Sequence, residues 1–238
     1  MEGWSAHREK ISQNGFTILE DVYKPEEIAA IIDAIKAADQ SNLTFRKTDD
    51  LFAIRQFLKE VPEVKQLIFN EKLKALIGHL FNDEYFIVKA IYFDKPEKSN
   101  WFVAWHQDLT ISVDKKGDLP GYGPWTTKLN QFAVQPPVDI LLDNFTIRIH
   151  LDDTDEGNGA LKVIKGSHLN IARPENLNKD TIIDTSCNVP AGGVMIMLPL
   201  LMHASNRTTS NKKRRVIHIE FSRQELPVEI NWAERESY

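Results

Sequence analysis

The sequence predicts a mostly β fold, a sandwich or barrel, with helices packed against it. From Tyr85 onward, short runs of β-branched and aromatic residues are separated by Gly, Pro, Asn and Asp, which is the pattern of many short strands joined by turns. The runs are FIVKAIYF, WFVAWHQD, FTIRIHLD, LKVIKGSH, VMIML and RRVIHIEFS. The first third has helical periodicity instead, and no repeat or linker divides the chain. We therefore expect a single domain over residues 1–238, in which a helical part of about 1–82 packs on a β core of about 85–222.

The helical part contains three recognisable segments. The first ends at Asn14, because Gly15 suits the left-handed position after a helix. The second begins at Pro25, and its apolar residues recur at helical spacing. The third runs from about Pro62 to Leu80, with a break near Asn70. The apolar stripe of the second segment is Ile28, Ile31, Ile32 and Ile35.

Two of the predicted strands have one aliphatic and one mainly polar face. Between Phe145 and Leu151, Thr146, Arg148 and His150 alternate with apolar residues, and the last strand repeats the pattern. One interpretation is an ordinary sheet with its polar side in water. The other is a barrel whose polar face lines a ligand cavity and whose apolar face lies under helices. Periodicity alone does not distinguish the two.

Composition excludes several classes of partner and site. The formal net charge is -5 and the cations are scattered, so we expect no nucleic-acid partner. Cys187 is the only cysteine, which excludes an internal disulfide, a cysteine-rich zinc site and an iron–sulfur cluster, and favours a reducing, cytoplasmic setting. No signal-like segment and no apolar run of about 18 residues occurs, so we expect no membrane association. No feature indicates a protein partner.

The run WFVAWHQDLT carries a histidine and a carboxylate two residues apart. On a strand, His106 and Asp108 would project from the same face, roughly 6 to 7 Å apart, and converge on one metal ion. A later histidine would complete the 2-His-1-carboxylate set that suits non-haem Fe(II) and leaves coordination positions open. Downstream, His203 is followed by Ser205 and, at the start of the next strand, by Arg214. Arginine and serine are the donors that would hold a distal carboxylate of a keto-acid cosubstrate.

Together these segments resemble the phytanoyl-CoA dioxygenase family of Fe(II)- and 2-oxoglutarate-dependent oxygenases. The matching segments are NGFTILEDVYKPEEIAAIIDAI, KPEKSNWFVAWHQD, LDDTDEGNGALKVIKGSHL, PAGGVMIML and HASNRTTSNKKRRVIHIEF. The similarity spans roughly Gly15 to Ser222. It implies a double-stranded β-helix, the cupin-like jelly roll, with the metal at one mouth and the helices on one outer face.

The resemblance also implies roles for individual residues. His106, Asp108 and His203 match the iron ligands and hence the catalytic centre. Arg214 matches the arginine that pairs with the distal carboxylate of 2-oxoglutarate, and Ser205 matches the hydroxyl donor beside it. Arg215 is the alternative, although strand parity favours Arg214.

The implied enzyme uses Fe(II), 2-oxoglutarate and O2, and hydroxylates or otherwise oxidises an unidentified small molecule while releasing succinate and CO2. Halogenating relatives lack the carboxylate ligand, so Asp108 predicts oxidation rather than halogenation. Two other functions fit the motif: a zinc-dependent hydrolase, which does not require Arg214 and Ser205, and a non-catalytic jelly-roll binding protein with a residual metal site.

Further polar and aromatic residues are candidates for ligand contacts. Lys89 lies in an apolar run and either contacts 2-oxoglutarate or the substrate, or is an edge-strand lysine that reaches solvent. Arg148 requires an anion if its face is the lumen, and is otherwise a salt-bridge partner. Thr146 lies on the same predicted face as Arg148.

The connection from Ile111 to Asp143 is long for a compact domain, and such loops are usually lids or binding loops. On the alternative interpretation, its aromatic residues only attach a surface excursion to the core. Trp105, Trp125 and Gln135 are candidates for a substrate wall on the first interpretation.

Overall fold

A computed structural model describes residues 3–38, 41–48, 52–97, 99, 101–128, 131–172, 174–177 and 182–238. The α-helices within these ranges are α1 (Trp4–Asn14), α2 (Pro25–Ala37), α3 (Phe57–Glu60), α4 (Val64–Ile68), α5 (Glu71–Leu80) and α6 (Val138–Leu142). The strands are β1 (Phe16–Leu19), β2 (Phe45–Lys47), β3 (Phe52–Arg55), β4 (Phe86–Lys95), β5 (Val103–His106), β6 (Ile111–Val113), β7 (Trp125–Lys128), β8 (Gln131–Val134), β9 (Asn144–His150), β10 (Leu161–Val163), β11 (Thr185–Cys187), β12 (Val194–Met197), β13 (His203–Ser205) and β14 (Arg214–Ser222).

The helix ends follow the local signals in the sequence. Gly15 closes α1 in the left-handed conformation, with φ 84°. Pro25 occupies the first turn of α2, and Glu27 accepts a hydrogen bond from the Lys24 backbone at 2.8 Å. The predicted break near Asn70 is confirmed, because its side chain accepts from the Leu73 backbone and caps α5. None of the helices described is long and apolar enough to span a bilayer.

Two antiparallel sheets face each other and form the predicted double-stranded β-helix. The larger sheet has the order β1-β12-β9-β14-β4-β3-β2, and the smaller has the order β11-β10-β13-β5. At one end of the space between them, Phe16 and Met195 of the larger sheet pack with Leu161 and Val163 of the smaller. We call the space between the two sheets the lumen. Its other end is lined mainly by polar side chains.

The main hydrophobic core lies on the outer face of the larger sheet. Ile147 of β9 and Ile217 of β14 are fully buried there, against Ile31 of α2 and Leu73 of α5. The helices α1 to α5 all contribute to this layer, so the predicted placement of helices on one outer face is confirmed. Because the aliphatic faces of β9 and β14 are covered in this way, their polar faces point into the lumen. The cavity-lining interpretation of these two strands is therefore correct.

The segment 111–143 is not the long loop that the sequence suggested. It contains β6, β8 and β7, which pair in that order as a separate three-stranded sheet, followed by α6. This inserted sheet has a core of its own, to which Val113 and Val134 contribute together with Trp232 of the C-terminal tail, residues 223–238. The expectation of an irregular loop was wrong because short strands that pair only with each other carry no signal for a separate sheet.

Candidate functional site

Adjacent strands of the smaller sheet bring two histidines together at the mouth of the lumen. His106 is the last residue of β5 and His203 is the first residue of β13. The two residues are direct partners in the antiparallel register. Although they are far apart in the chain, strand pairing therefore places their side chains side by side.

These two histidines and Asp108 form a compact set of metal-ligating groups. The Nε2 atom of His106 lies 3.7 Å from Asp108 Oδ1, and the Nε2 atom of His203 lies 3.9 Å from Asp108 Oδ2. One ligand atom from each residue lies within 4.8 Å of the others. Atoms at these separations, two from imidazoles and one from a carboxylate, fit a single transition-metal ion with positions left open.

Both imidazole rings are oriented by backbone carbonyls. His106 Nδ1 lies 2.8 Å from the Ala104 oxygen, and His203 Nδ1 lies 2.9 Å from the Leu201 oxygen. A carbonyl oxygen accepts only, so each Nδ1 carries the proton and donates. Each Nε2 is left with its lone pair pointing toward Asp108, which is the tautomer that metal binding requires.

Asp108 itself lies outside the strand. We expected it to share a strand face with His106, but β5 ends at His106. Asp108 is held instead by its backbone, which donates to the Pro199 oxygen at 2.8 Å. Gln107 turns away, as predicted, and its amide donates to the oxygens of Asn170 and Leu200 at 2.8 and 2.5 Å. The buried Gln107 amide thus ties the end of β5 to the neighbouring loops.

The protonation states also suit a metal. Burial lowers the pKa of His203 to about 4, although the Asp108 carboxylate opposes this shift. For Asp108, burial acts to raise the pKa, but its electrostatic interactions with His203, His218, His106 and Lys89 act to lower it, and the net pKa is lowered. Near neutral pH His203 is therefore neutral and Asp108 ionised, the forms that coordinate metal without releasing a proton.

Deeper in the lumen, Arg214 and Ser205 lie on neighbouring parts of the two sheets. Arg214 begins β14, is 3% exposed, and donates through Nη1 to the Gly159 oxygen. Ser205 ends β13 and is 2% exposed. Burial lowers the pKa of Arg214 to about 9. Arg215 points to the opposite face of β14, where Nε and Nη2 donate to the Asp152 carboxylate at 2.8 and 2.6 Å.

A hydrogen-bonded row of side chains crosses the lumen face of β9, β14 and β4. Arg148 Nη1 donates to His218 Nδ1 at 3.0 Å, and His218 Nε2 donates to Glu220 Oε1 at 3.0 Å. Lys89 Nζ donates to the same carboxylate oxygen at 2.7 Å. The Lys89 side chain is 22% exposed and ion-paired with Glu220, so it does not simply reach solvent. Arg148 has no carboxylate partner among the described residues, and burial lowers its pKa to about 10.

The lumen also contains a group of buried polar atoms that lack hydrogen-bond partners. Among the residues the structure describes, they are Arg148 Nε, His150 Nε2, Ser205 Oγ and Arg214 Nε. Unsatisfied buried polar groups are costly, and unpaired cations more so. Two guanidinium groups, a hydroxyl and an imidazole fit a small molecule with several anionic oxygens. 2-Oxoglutarate, with a carboxylate at each end, is such a molecule.

A family comparison decides the class of the protein. The model of the family described as phytanoyl-CoA dioxygenase (PhyH) matches residues 11–216. The chain belongs to this family. It is therefore a non-haem Fe(II)- and 2-oxoglutarate-dependent oxygenase that uses O2 and acts on an unidentified substrate. This result excludes the zinc hydrolase and the non-catalytic binding protein as its function.

Relatives of this oxygenase include uncharacterised proteins of Mycobacterium bovis and Mycobacterium tuberculosis. Each is 24% identical over 235 residues, covering 92% of this chain and 75% of the relative. Since neither is characterised, they do not indicate a substrate.

Solved structures share the fold at low sequence identity. AviO1 from Streptomyces viridochromogenes has a TM-score of 0.66 and 19% identity, covering 95% of this chain and 98% of its own. The 2-oxoglutarate-dependent epimerase SnoN from nogalamycin biosynthesis has a TM-score of 0.68 and 12% identity, with coverage of 92% and 82%. HygX from Streptomyces hygroscopicus, with nickel, 2-oxoglutarate and hygromycin B bound, has a TM-score of 0.64 and 15% identity, with coverage of 91% and 86%.

The structure separates the predicted substrate residues of the oxygenase into two groups. Thr146 is buried on the lumen face of β9 and lines a small cavity together with Asp108. Trp105 precedes His106 on β5, so alternation directs it to the opposite face. Trp125 packs in the core of the inserted sheet, and the Gln135 backbone pairs with Gly123 and Pro124 near that sheet. Trp105, Trp125 and Gln135 thus lie away from the cavity at Asp108, because the segment that carries two of them folds on itself.

Three charged residues near the oxygenase site did not stand out in the sequence. Glu220 was visible only as one polar residue in an alternating strand. Lys95 is fully buried at the register position opposite Arg214, and its Nζ donates to the Asn206 oxygen at 2.5 Å. Glu234 comes from the C-terminal tail, where no periodic pattern links it to β4. Only the register of distant strands could have revealed these contacts.

Proposed function

We propose that His106, Asp108 and His203 bind Fe(II), and that Arg214 and Ser205 bind the distal carboxylate of 2-oxoglutarate, so that the protein oxidises a small molecule at the mouth of the lumen. The observation that carries this assignment is the pair of unsatisfied donors, Arg214 Nε and Ser205 Oγ, buried beyond the His106–Asp108–His203 set. A carboxylate is the group that satisfies both.

The chain's own residues orient and shield the reactants. When bound, Fe(II) and 2-oxoglutarate activate O2 for substrate oxidation, and the cosubstrate leaves as succinate and CO2. The carbonyl oxygens of Ala104 and Leu201 keep the Nε2 atoms of the two histidines unprotonated. The buried position of Arg214 strengthens its attraction for a carboxylate, because little water competes for the guanidinium.

Arg148 is assigned to a bound anion rather than to a structural salt bridge. It is 7% exposed, and its one hydrogen bond within the described chain is to a neutral acceptor, His218 Nδ1. The role of Lys89 is assigned to the substrate side. Lys95 is the register partner of Arg214, and Lys89 lies six residues earlier on the same strand. Six strand residues span roughly 20 Å, which is longer than 2-oxoglutarate. A cosubstrate held by Arg214 therefore does not reach Lys89.

The assignment is tested by measuring succinate formation and O2 uptake in the presence of Fe(II) and 2-oxoglutarate. We expect slow, substrate-free consumption of both compounds by the parent protein, and its loss in Asp108→Ala. The matched control is Asp118→Ala, which removes an exposed aspartate of the inserted segment and should keep the parental rate. Equal rates in Asp108→Ala and the control would refute the ligand assignment.

A further inference from the structure

A second cavity adjoins the lumen and contains mostly polar side chains. Its volume is about 110 Å³. Its walls come from β3 and the adjoining Gln56, from β4, from the inserted sheet and from the C-terminal tail. Its charged or amide side chains are Arg55, Gln56, Lys89, Asp114, Gln131 and Glu234. We call this cavity the side cleft. A small cleft with this lining favours a polar ligand, because an apolar one would strip water from charged groups without replacing its hydrogen bonds.

The side cleft lies next to the proposed iron site. Lys89 is part of its wall, and the Lys89 ammonium is 2.7 Å from Glu220 Oε1. Glu220 in turn lines the small cavity that also contains Asp108 and Thr146. One ion pair therefore separates the cleft from the cavity at the metal ligands. A molecule bound in the cleft therefore lies across the Lys89–Glu220 ion pair from the cavity at Asp108.

Most charges in the side cleft already have partners. Asp114 accepts hydrogen bonds from the Asn231 backbone and side-chain amide at 2.8 and 3.0 Å. Glu234 accepts from the Ala90 backbone at 3.1 Å. Arg55 differs from these residues. Its half-buried guanidinium donates no hydrogen bond and forms no ion pair with any residue in the described part of the chain.

The lumen beside the cleft carries excess positive charge. Its lumen-facing cations are Lys89, Lys95, Arg148 and Arg214, and its carboxylates are Asp108 and Glu220. Among the described residues of this set, four cations against two carboxylates leave an excess of two positive charges, and Glu234 beside Lys89 offsets at most one of them. Fe(II) adds two positive charges and 2-oxoglutarate adds two negative ones, so binding both leaves this excess unchanged. An anionic substrate would reduce it, and a cationic one would increase it.

We propose that the side cleft binds the primary substrate, and that this substrate is a small polar acid whose carboxylate or phosphate group is held by Arg55. The proposal rests on the function proposed above. A guanidinium presents two parallel N–H groups that match either oxyanion, and it stays charged at any physiological pH.

The test is a panel of hydroxy acids and amino acids, each supplied as the free acid and as its primary amide, together with hydroxylated phosphate monoesters. The rate of succinate formation is measured with Fe(II) and 2-oxoglutarate for the parent, Arg55→Ala and Arg55→Lys. We expect at least one acid to raise the rate while its amide does not. Arg55→Ala should raise the half-saturating acid concentration about tenfold or more, the effect of losing a charge-assisted hydrogen bond. Arg55→Lys should recover part of the loss.

The matched control is Arg46→Ala, which removes an exposed arginine from the adjacent strand and should change half-saturation by less than about twofold. Stimulation by carboxylates or by phosphate monoesters would identify the oxyanion. The proposal is overturned if amides stimulate as well as acids, if no anion stimulates, or if Arg55→Ala matches Arg46→Ala. The rate of succinate formation without added substrate distinguishes the two proposals, because its absence in the parent would refute the proposed iron and 2-oxoglutarate site and not the cleft.

Discussion

Arg214 illustrates how a single buried charge can define a binding site. Its guanidinium is almost completely removed from water, and within the described chain it contacts a backbone carbonyl and no carboxylate. A cation in such a place is costly unless an anion accompanies it. The described part of the chain supplies no such anion nearby, which supports the proposal that a carboxylate of 2-oxoglutarate completes the site.

Replacing Arg214 with alanine should therefore weaken cosubstrate binding specifically. We expect the half-saturating concentration of 2-oxoglutarate to rise roughly a hundredfold, the effect of losing two charge-assisted hydrogen bonds. Arg215→Ala is the natural comparison, because it removes the adjacent arginine but breaks only the ion pair with Asp152. Arg215→Ala should lower Tm and leave the half-saturation within about twofold. A larger effect in Arg215→Ala would transfer the role to that residue.

Strand alternation was sufficient to distinguish these two arginines from sequence. Arg214 shares a face with His218, and Arg215 shares the aliphatic face with Ile217, as the structure has them. Their partners were not predictable. Gly159 and Asp152 come from segments more than fifty residues earlier, and no local pattern indicates which carbonyl or carboxylate a side chain will reach.

The C-terminal tail acts as an additional partner for β4. Where β3 ends, Ile87 pairs with Glu236, and the Glu234 carboxylate accepts a hydrogen bond from the Ala90 backbone. The side chain of Glu234 thus satisfies a strand N–H that would otherwise lack a partner. Glu234 is partly buried, and this burial raises its pKa from the ordinary glutamate value of 4.5 to about 7.

This raised pKa predicts a pH-dependent stability. Between about 4.5 and about 7 the folded state retains the Glu234 proton and the unfolded state does not, so the free energy of unfolding falls as pH rises through this range. The loss is roughly 3 kcal/mol at most and is complete above the folded pKa.

Glu234→Gln keeps an acceptor for Ala90 and removes the charge. Its Tm should be close to that of the parent near pH 5 and several degrees higher near pH 8, measured by thermal unfolding at both pH values. Glu229→Gln, which changes an exposed glutamate of the same tail, should show no such divergence. A constant difference between Glu234→Gln and the parent at both pH values would contradict the linkage.

The pattern of short apolar runs predicted most strands, but it predicted neither where the strands end nor which strands pair with each other. The predicted strand WFVAWHQD stops at His106, because the following residues are held by Gln107 and by the Pro199 oxygen rather than by a neighbouring strand. The inserted sheet and the tail escaped prediction for a related reason. The strands of the inserted sheet pair with each other, and the tail pairs with β4 and β6 only through isolated bridges. Neither arrangement produces an alternating pattern that a sequence would show.

The molecule as a whole combines an apolar outer layer with a polar lumen, and this division positions the site. Helices α1 to α5 cover the aliphatic faces of the larger sheet, which leaves its polar faces to line the lumen. The family resemblance predicted the jelly roll from segments in their chain order, while composition and periodicity alone reached only a sandwich or barrel. The organisation as one domain over residues 1–238 stays a prediction.

The central claim is that three side chains from distant parts of the sequence hold Fe(II), with 2-oxoglutarate bound beside it. The most direct test is an anaerobic titration of the protein with Fe(II) and then 2-oxoglutarate, followed by the visible charge-transfer absorption of an iron–keto-acid chelate. The absorption should develop in the parent and in His79→Ala, which removes an exposed histidine of α5, and should be lost or greatly weakened in His106→Ala. An unchanged absorption in His106→Ala, or none in the parent, would contradict the account.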